Sequence, residues 1–302
     1  VFSINSVKTT GAYYRDADNV VVDGGYTTQV KTGANKDNYN VKLIWHSGDE
    51  GPTLYLKGAV IDNYDETMGW RRTSATSTNE RAYTAIFTST VAPLKVVIEE
   101  DSDLQVFDGI HYRNDLTIES VGDAKLNLWT GRTGIVPTSA ASGFVNSTLA
   151  GNKLTLNANM NISLGSWANA INGGYIIRTV EADMVINGGE IILGYRGANK
   201  DGRGIGVVTS GNLYMNGGHV YSITFNTGNH TDAAYRIAGD VYVTAGTLEA
   251  YSQYQSGIRA KNIYVTGGKV ITNTSMAGLL VHNADGVISI TDGSGEANSG
   301  ST

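Results

Sequence analysis

Aromatic residues close to arginines are the side chains with the clearest chemical potential in this sequence. They occur in three segments that interrupt an otherwise repetitive chain. The segments carry Trp70, Arg71 and Arg72, then Trp129 and Arg132, and then Tyr195, Arg196 and Arg203. Flat aromatic rings stack on pyranose rings, and arginines donate several hydrogen bonds to hydroxyl or acidic groups. We therefore expect these segments to bind an acidic or neutral glycan; the alternative is that they only cover sheet edges.

A column of tyrosines is the second aromatic candidate, in a chain with 17 tyrosines, 5 phenylalanines and 4 tryptophans. Tyr214, Tyr242 and Tyr264 occupy the same position in three copies of a repeat, at the polar phase of a predicted strand. Because side chains alternate between the two faces of a strand, these residues should form an outward ladder. The ladder either offers ring faces to a sugar or only stiffens the sheet by stacking.

A run of acidic residues is the best candidate for binding a metal ion. It consists of Glu99, Glu100, Asp101 and Asp103, all in one turn. Clustered carboxylate oxygens are ligands that Ca²⁺ prefers, but the spacing here is not that of an EF-hand loop. A solvated acidic turn is therefore the favoured interpretation, and a calcium site is the alternative. We expect no other cofactor.

Composition and charge exclude several other chemistries. The chain has no cysteine, which removes thiolate nucleophiles and cysteine-based metal sites, and its 5 histidines lack the spacing of a zinc site. Its net charge is −6 and its lysines and arginines form no dense run, which argues against binding to nucleic acid. A transmembrane helix needs about 18 consecutive apolar residues. The sequence has no such stretch, so we expect no transmembrane segment.

The elements that must position these residues follow from an internal repeat. Four segments align without gaps, and in each one apolar residues alternate with polar ones on both sides of a glycine. The shared glycines are Gly189, Gly218, Gly246 and Gly268. A period of two indicates strands with one buried face, and a glycine between them permits a sharp corner. A weaker fifth copy places Ile288 and Ile290 before Gly293.

Two further columns complete the repeat. One is Asp or Asn just before a strand, which suits a second corner because these residues bond to nearby backbone groups. Its members are Asp183, Asn212, Asp240 and Asn262. The other is a small residue followed by isoleucine or leucine, which we interpret as the mark of a third strand. Its members are Ala85-Ile86, Gly109-Ile110, Gly134-Ile135, Ala170-Ile171, Gly204-Ile205, Gly257-Ile258 and Gly278-Leu279.

The repeat predicts an all-β protein, a right-handed parallel β-helix of about nine to ten coils. One coil cannot bury its apolar side alone, whereas stacked coils form a continuous core. A β-sandwich or a propeller is the alternative, but neither matches the length of the repeat. We expect residues 1–50 to form an irregular N-terminal cap and the first coil. Residues 51–292 should form the β-helix, and residues 293–302 a flexible Gly/Ser tail.

The order of elements from residue 53 onwards resembles a known group of proteins. Thr53 to Asp62 reads TLYLKGAVID, Ala85 to Val106 is an Ala-Ile strand followed by an acidic turn, and Gly109 to Ser120 is a Gly-Ile strand. With the later Asn-Gly-Gly strands, this order resembles the secreted or surface-attached bacterial β-helix proteins of the carbohydrate-binding, pectin-lyase-like type. The resemblance covers residues 50 to 292 and implies an extracellular or cell-surface protein.

The resemblance leaves three functions open. Non-catalytic binding of a polysaccharide, such as a host or plant glycan, is the function that we favour. A structural adhesin or stalk segment is the second, and a polysaccharide lyase or glycoside hydrolase is the third. Asn226 to Ile237 contains residue types found in polygalacturonase sites, but the Gly-His-Gly and paired-Asp motifs of those enzymes are missing. We therefore predict no catalytic residues.

Overall fold

The computed structural model of the chain contains only β-strands as regular structure in the residues that it describes. These residues are 2–4, 13–16, 19–22, 40–45, 51–62, 64–65, 69–70, 84–88, 92–137, 152–164, 175–195, 205–224 and 233–298. The all-β class predicted from the sequence is therefore confirmed. These ranges hold no helix of the length and apolarity that a bilayer-spanning segment requires.

Thirty strands are present in the described residues, and most of them are short. β1 to β10 are Phe2–Ile4, Tyr13–Asp16, Asn19–Val22, Val41–Trp45, Pro52–Lys57, Val60–Asp62, Tyr64–Asp65, Gly69–Trp70, Thr84–Thr88 and Leu94–Glu100. β11 to β20 are Ser102–Tyr112, Leu116–Ser120, Lys125–Pro137, Leu154–Asn157, Asn159–Leu164, Tyr175–Arg178, Met184–Gly188, Glu190–Tyr195, Ile205–Thr209 and Leu213–Met215. β21 to β30 are His219–Thr224, Ala233–Ile237, Val241–Val243, Thr247–Ser252, Ser256–Ala260, Ile263–Val265, Lys269–Thr274, Leu279–Val281, Ile288–Ile290 and Ser294–Asn298.

In the C-terminal part of the β-helix, each coil contributes three strands, and each strand pairs with its counterpart in the next coil. β17, β18 and β19 form one such coil, and they pair in parallel with β20, β21 and β22, respectively. In the same way, each strand from β20 to β25 pairs in parallel with the strand three positions later in the chain. Crossovers between parallel strands of one sheet are right-handed. The molecule is a right-handed parallel β-helix, as the repeat predicts.

The three columns of strands define three faces. The first face runs through β5, β10, β12, β14, β17, β20, β23, β26 and β29 of the 12-stranded sheet. The second face contains β15, β18, β21, β24, β27 and β30, and the third contains β16, β19, β22, β25 and β28. β11 and β13 run through both the second and the third face, so these two faces belong to one 16-stranded sheet. The pairing register of β11 shifts between Val106 and Asp108, where the strand changes face.

The core lies between the three faces and is formed by the inward side of each strand. In the first face, Met184, Leu213, Val241 and Ile263 stand in register and are fully buried. The residues between them face outwards, as the period of two predicts. Burying one aliphatic side chain contributes about 1.5–3 kcal/mol, so stacked columns of this kind hold successive coils together.

Glycine forms the corner between the first and second faces because the coils approach too closely for a side chain. Gly189, Gly218 and Gly246 have positive φ values of 90°, 80° and 79°. A Cβ atom on Gly218 would collide with the carbonyl oxygen of Gly189, and one on Gly189 with that of Ala158. Gly268 lacks the positive φ but keeps the close approach, because a Cβ atom there would lie 2.9 Å from the Gly246 oxygen.

Asp and Asn side chains connect successive coils at the corner between the third and first faces. Asn212 N donates to Asp183 Oδ1 at 2.8 Å, and Asp240 N donates to Asn212 Oδ1 at 2.9 Å. Asn262 Nδ2 donates to Asp240 Oδ1 at 2.8 Å, and Val287 N donates to Asn262 Oδ1 at 2.9 Å. The column predicted from the sequence therefore exists, and these four hydrogen bonds connect neighbouring coils.

The marker identifies the third strand, but it does not always stand at the same register position. The residues in register on the third face are Ile86, Ile110, Ile135, Ile177, Val207, Tyr235, Ile258 and Leu279. Ile205 belongs to β19 but pairs with Tyr175, and it stands two residues before Val207, which is the residue in register with Ile177. Ile171 lies outside the described residues.

The two ends of the β-helix are built differently. At the N-terminal end, β2 to β5 pair in antiparallel fashion along the edge of the first face. At the C-terminal end, β30 pairs in parallel with β27, so Ser294–Asn298 is a strand where we expected a flexible tail. The physical reason is that β27 offers a row of backbone hydrogen-bonding groups, with which the small residues of this segment can pair.

Candidate functional site

Trp129 lies in strand β13 on the second face, and not in an insertion as the sequence suggested. The strand continues from Lys125 to Pro137 because its backbone stays paired with β11 along both faces. Leu126 and Leu128 are buried in the core. Trp129 has the opposite phase, so it faces outwards with its side chain half-buried. The prediction that an inserted loop carries Trp129 is therefore wrong.

Outward-facing side chains of three coils surround Trp129. One column across the second face consists of Gln105, Trp129 and Ser163, and the neighbouring column consists of Asp103, Asn127 and Asn161. These six residues line a groove of about 180 Å³, which we call the Trp129 groove. Because paired strands are about 4.8 Å apart, the groove spans roughly 10 Å along the axis of the β-helix.

Small residues follow Trp129 along its column. Ser163 is its neighbour in the next coil, and Gly194 is the neighbour of Ser163 in the coil after that. A large side chain at either position would fill the surface beside the indole, as stacked aromatic side chains do in other columns. A ligand in contact with the indole can therefore extend along the second face towards Gly194.

The second column of the groove supplies hydrogen-bonding groups of both kinds. Asn127 Nδ2 donates to Asp103 Oδ1 at 2.7 Å, which holds these two side chains in a fixed arrangement. Amide oxygens and the carboxylate accept hydrogen bonds, and the amide group of Asn161, like that of Gln105 in the first column, also donates them. Sugar hydroxyls do both, so the lining has the chemistry that a neutral sugar requires.

The acidic residues 99–103 are spread along two strands rather than gathered around one point. Glu99 and Glu100 end β10, and Asp103 belongs to the Trp129 groove. Asp101 Oδ1 accepts a hydrogen bond from Lys125 N at 2.8 Å, which links two coils. In the part of the chain that the structure describes, no three His, Asp or Glu side chains form a group that could hold a metal ion. This geometry gives no support to the calcium alternative.

The tyrosine column stands on the first face in the register expected from the repeat. The ring centroids of Tyr214 and Tyr242 are 5.1 Å apart, and those of Tyr242 and Tyr264 are 5.2 Å apart. The interplanar angles are only 7° and 16°, so the rings stack on one another. The Tyr242 hydroxyl donates to Asp240 Oδ2 at 3.1 Å. Burial, followed by this hydrogen bond, raises the pKa of Tyr242 above its ordinary value.

The stacking has a consequence for sugar binding by this ladder. Both faces of Tyr242 contact another tyrosine ring, so they are not available to a pyranose. Only the outer faces of Tyr214 and Tyr264, at the two ends of the ladder, are not covered by another ring of the ladder. The geometry therefore favours the interpretation that the ladder stiffens the sheet.

Other residues named from the sequence cannot be related to the groove. Trp70 lies in β8, which pairs with β7, Arg132 lies in β13 and Tyr195 ends β18, but the structure describes only their backbones. The remaining members, which lie outside the described residues, are Arg71, Arg72, Arg196 and Arg203.

A second cleft, which sequence reasoning missed, lies on the third face. It has a volume of about 320 Å³, and its lining includes Tyr175, Arg178, Ser210, Arg236, Arg259 and His282. We call it the arginine cleft. Its sequence signal is an arginine directly after the buried residue of the third-face column, as in Ile177-Arg178, Tyr235-Arg236 and Ile258-Arg259. That signal appears only when the register between coils is known.

Comparisons with models of protein families, with curated proteins and with solved structures found no match for this chain. The class of protein is therefore defined by its own fold and surface. It is a parallel β-helix with a polar groove around one tryptophan on the second face. The third face carries a separate cleft lined by arginines.

Proposed function

We propose that this protein binds a neutral polysaccharide at the Trp129 groove without cleaving it. The observation that carries the proposal is the outward-facing indole set among amide, carboxylate and hydroxyl side chains of three neighbouring coils. An aromatic ring offers an apolar platform for the C–H face of a pyranose, and the surrounding polar groups fix its orientation. Binding without cleavage requires only this platform and these polar groups.

The shape of the groove supports a polymer rather than a single sugar. Its lining side chains come from β11, β13 and β15, which lie side by side on one face. A linear glycan laid across these strands meets an equivalent set of outward positions at each coil, about 4.8 Å further along. Repetition of modest contacts along one chain raises the overall affinity.

The proposal also places the protein outside the cell or on its surface. Its support is the resemblance of the chain to secreted and surface-attached β-helix proteins of the pectin-lyase-like type, which reaches from residue 50 to residue 292. The parallel β-helix agrees with this resemblance at the level of fold. Fold alone does not decide between binding, scaffolding and catalysis, so the test must address function directly.

The test is the replacement of Trp129 by alanine, after a glycan array has identified a bound polysaccharide. Loss of an aromatic stacking platform costs about 1–3 kcal/mol in related stacking systems, so we expect binding to weaken about tenfold or more. Trp129→Phe keeps a flat ring and should retain part of the affinity. Isothermal titration calorimetry measures both variants, and thermal unfolding checks that each one folds.

Three outcomes would contradict the proposal. Absence of binding to any neutral glycan would favour a stalk or adhesin segment. Unchanged affinity in Trp129→Ala would exclude this groove as the site. Appearance of new reducing ends or unsaturated uronides during incubation with the glycan would show that the protein is a hydrolase or lyase instead.

A further inference from the structure

Three arginines share one outward column on the third face. Arg236 and Arg259 occupy neighbouring strands and are paired in register. Arg178 stands in the same column two coils before Arg236, with Val208 between them. Neighbouring strands are about 4.8 Å apart, so the three positions extend over roughly 14 Å along the axis. His282 and the exposed Ser210 lie at one side of the column and also line the cleft.

This concentration of positive charge stands out in an acidic protein. The whole chain carries 22 lysines and arginines against 28 aspartates and glutamates. Guanidinium groups are planar and donate paired hydrogen bonds, which match the two oxygens of a carboxylate or the oxygens of a sulfate. A row of guanidinium groups at the spacing of the coils therefore presents paired donors to a polymer with repeated anionic groups.

We propose that the arginine cleft binds the carboxylate groups of an anionic polysaccharide, at a site separate from the Trp129 groove. Arg236 and Arg259 donate hydrogen bonds to neighbouring carboxylates of the polysaccharide, and Arg178 donates to another carboxylate further along the polysaccharide. The residues of the two sites lie on different faces and share no member. The protein thus carries one surface for a neutral sugar and one for an acidic sugar.

The lining favours a polysaccharide over a nucleic acid. Single-stranded nucleic acids bind where aromatic rings stack on the bases. Tyr175 is the aromatic residue of the cleft, and the Arg178 guanidinium carbon lies 4.9 Å from the centroid of its ring. The ring is thus already covered by a cation.

The experiment compares two forms of one polymer, polygalacturonate and its methyl ester, in which a methyl group replaces the negative charge of each carboxylate. Calorimetric titration at low and moderate salt should show tighter binding of the acid, with an affinity that falls as salt increases. Arg236→Ala and Arg259→Ala should each weaken binding of the acid about tenfold, because each removes a charge-assisted contact. Arg236 is exposed, so its replacement should leave the fold intact.

Two matched variants sharpen the result. Lys269→Ala removes the same charge from the second face, where Lys269 pairs with Glu296 at 3.1 Å, and should leave binding unchanged. Arg236→Lys keeps the charge but loses the paired donors, so it should recover only part of the affinity. Thermal unfolding of every variant verifies that the β-helix is intact.

Several results would overturn this assignment. One is equal affinity of the wild-type protein for the acid and the ester. Another is an equal loss of affinity in Lys269→Ala and Arg236→Ala, which would indicate attraction by overall charge only. Tighter binding of a single-stranded DNA oligonucleotide than of polygalacturonate would identify a nucleic-acid site instead. Because the readout is the difference between acid and ester, it stays meaningful if the Trp129 groove binds nothing.

Discussion

The N-terminal coils and the C-terminal repeats build the same faces in different ways. In the N-terminal coils, β11 and β13 pass from the second face to the third without a break. In the C-terminal repeats, separate strands such as β24 and β25 form the two faces, with a short turn between them. The Trp129 groove is lined by β11, β13 and β15, whereas strands of the C-terminal repeats line most of the arginine cleft.

The interiors of the two regions also differ. In the N-terminal coils, the Thr133 hydroxyl donates to Asp108 Oδ1 at 2.9 Å, and His111 Nε2 lies 3.1 Å from the same hydroxyl oxygen. All three residues are buried. In the C-terminal repeats, the buried Tyr235 donates its hydroxyl to the Glu249 carbonyl oxygen at 2.9 Å. Buried polar groups need such partners, and in return they restrict how neighbouring strands can pack.

The comparison shows that the residues repeated in the sequence are those that build the coils, rather than those that we expect to bind a ligand. Inward residues and corner glycines repeat because each coil must bury the same surface and turn at the same point. Outward residues are free of that requirement. Trp129 and its neighbours therefore lie outside the region where the repeat is clearest, and the arginines occupy a column that the repeat does not reveal.

Replacement of Gly218 by valine should have the largest effect and would test how strongly the C-terminal repeats depend on their corner. Gly218 has a φ of 80°, and a Cβ atom would collide with the Gly189 carbonyl oxygen. The left-handed conformation and the collision together should reduce the free energy of unfolding by about 3–5 kcal/mol. Unfolding in urea, followed by circular dichroism, measures the loss.

Gly122 in the N-terminal coils provides the matched control. Its φ is 58°, but no atom lies within 4 Å of the position that a Cβ would take. Gly122→Ala should therefore cost only the conformational term, about 1–2 kcal/mol. A loss in Gly218→Val no larger than this would mean that close approach of the coils does not limit the corner.

The free energy of unfolding at alkaline pH should depend on one buried tyrosine in each region, Tyr112 in the N-terminal coils and Tyr235 in the C-terminal repeats. Burial raises the pKa of both, with a further contribution from Asp115 for Tyr112 and from Glu249 for Tyr235. Above about pH 10, an unfolded tyrosine loses its proton while the native one keeps it. The unfolded state then binds fewer protons, so the free energy of unfolding falls with pH, by about 1.4 kcal/mol per pH unit for each tyrosine.

Tyr112→Phe and Tyr235→Phe, measured by urea unfolding between pH 9 and pH 11, divide this effect between the regions. If the β-helix unfolds as one unit, each variant should flatten the alkaline decline by a similar amount. A decline that only one variant changes would show that the two regions unfold separately. A decline that is as steep in the double variant as in the wild-type protein would refute its assignment to these tyrosines.

The smallest expected effect concerns the tyrosine ladder of the C-terminal repeats. Tyr242 stacks on two rings and Tyr264 on one. An aromatic pair contributes about 0.5–1.5 kcal/mol beyond its buried area, so Tyr242→Leu should lose about twice as much stability as Tyr264→Leu. Thermal unfolding measures both. Weaker glycan binding in a folded Tyr242→Leu variant would instead assign the ladder to ligand binding.

Much of the fold could be predicted from the sequence, but less of the site. The alternation around Leu213, Val241 and Ile263 predicts buried strand positions, and the pairing confirms it. The marker at Ile205 shows the limit of this reasoning. Val207, two residues later, is the residue that stands in register with Ile177 and Tyr235. A shift of two residues keeps every side chain on the same face, so periodicity identifies the face but not the register.

The sequence by itself determined the all-β class, the coil and its corners, because alternation and glycine spacing are local properties of the chain. Only the tertiary structure decided that Trp129 belongs to a strand, since pairing along β11 keeps that segment extended. It also brought Arg178, Arg236 and Arg259 into one column. Coils of unequal length place distant residues side by side, and only the hydrogen bonds between strands determine which residues meet.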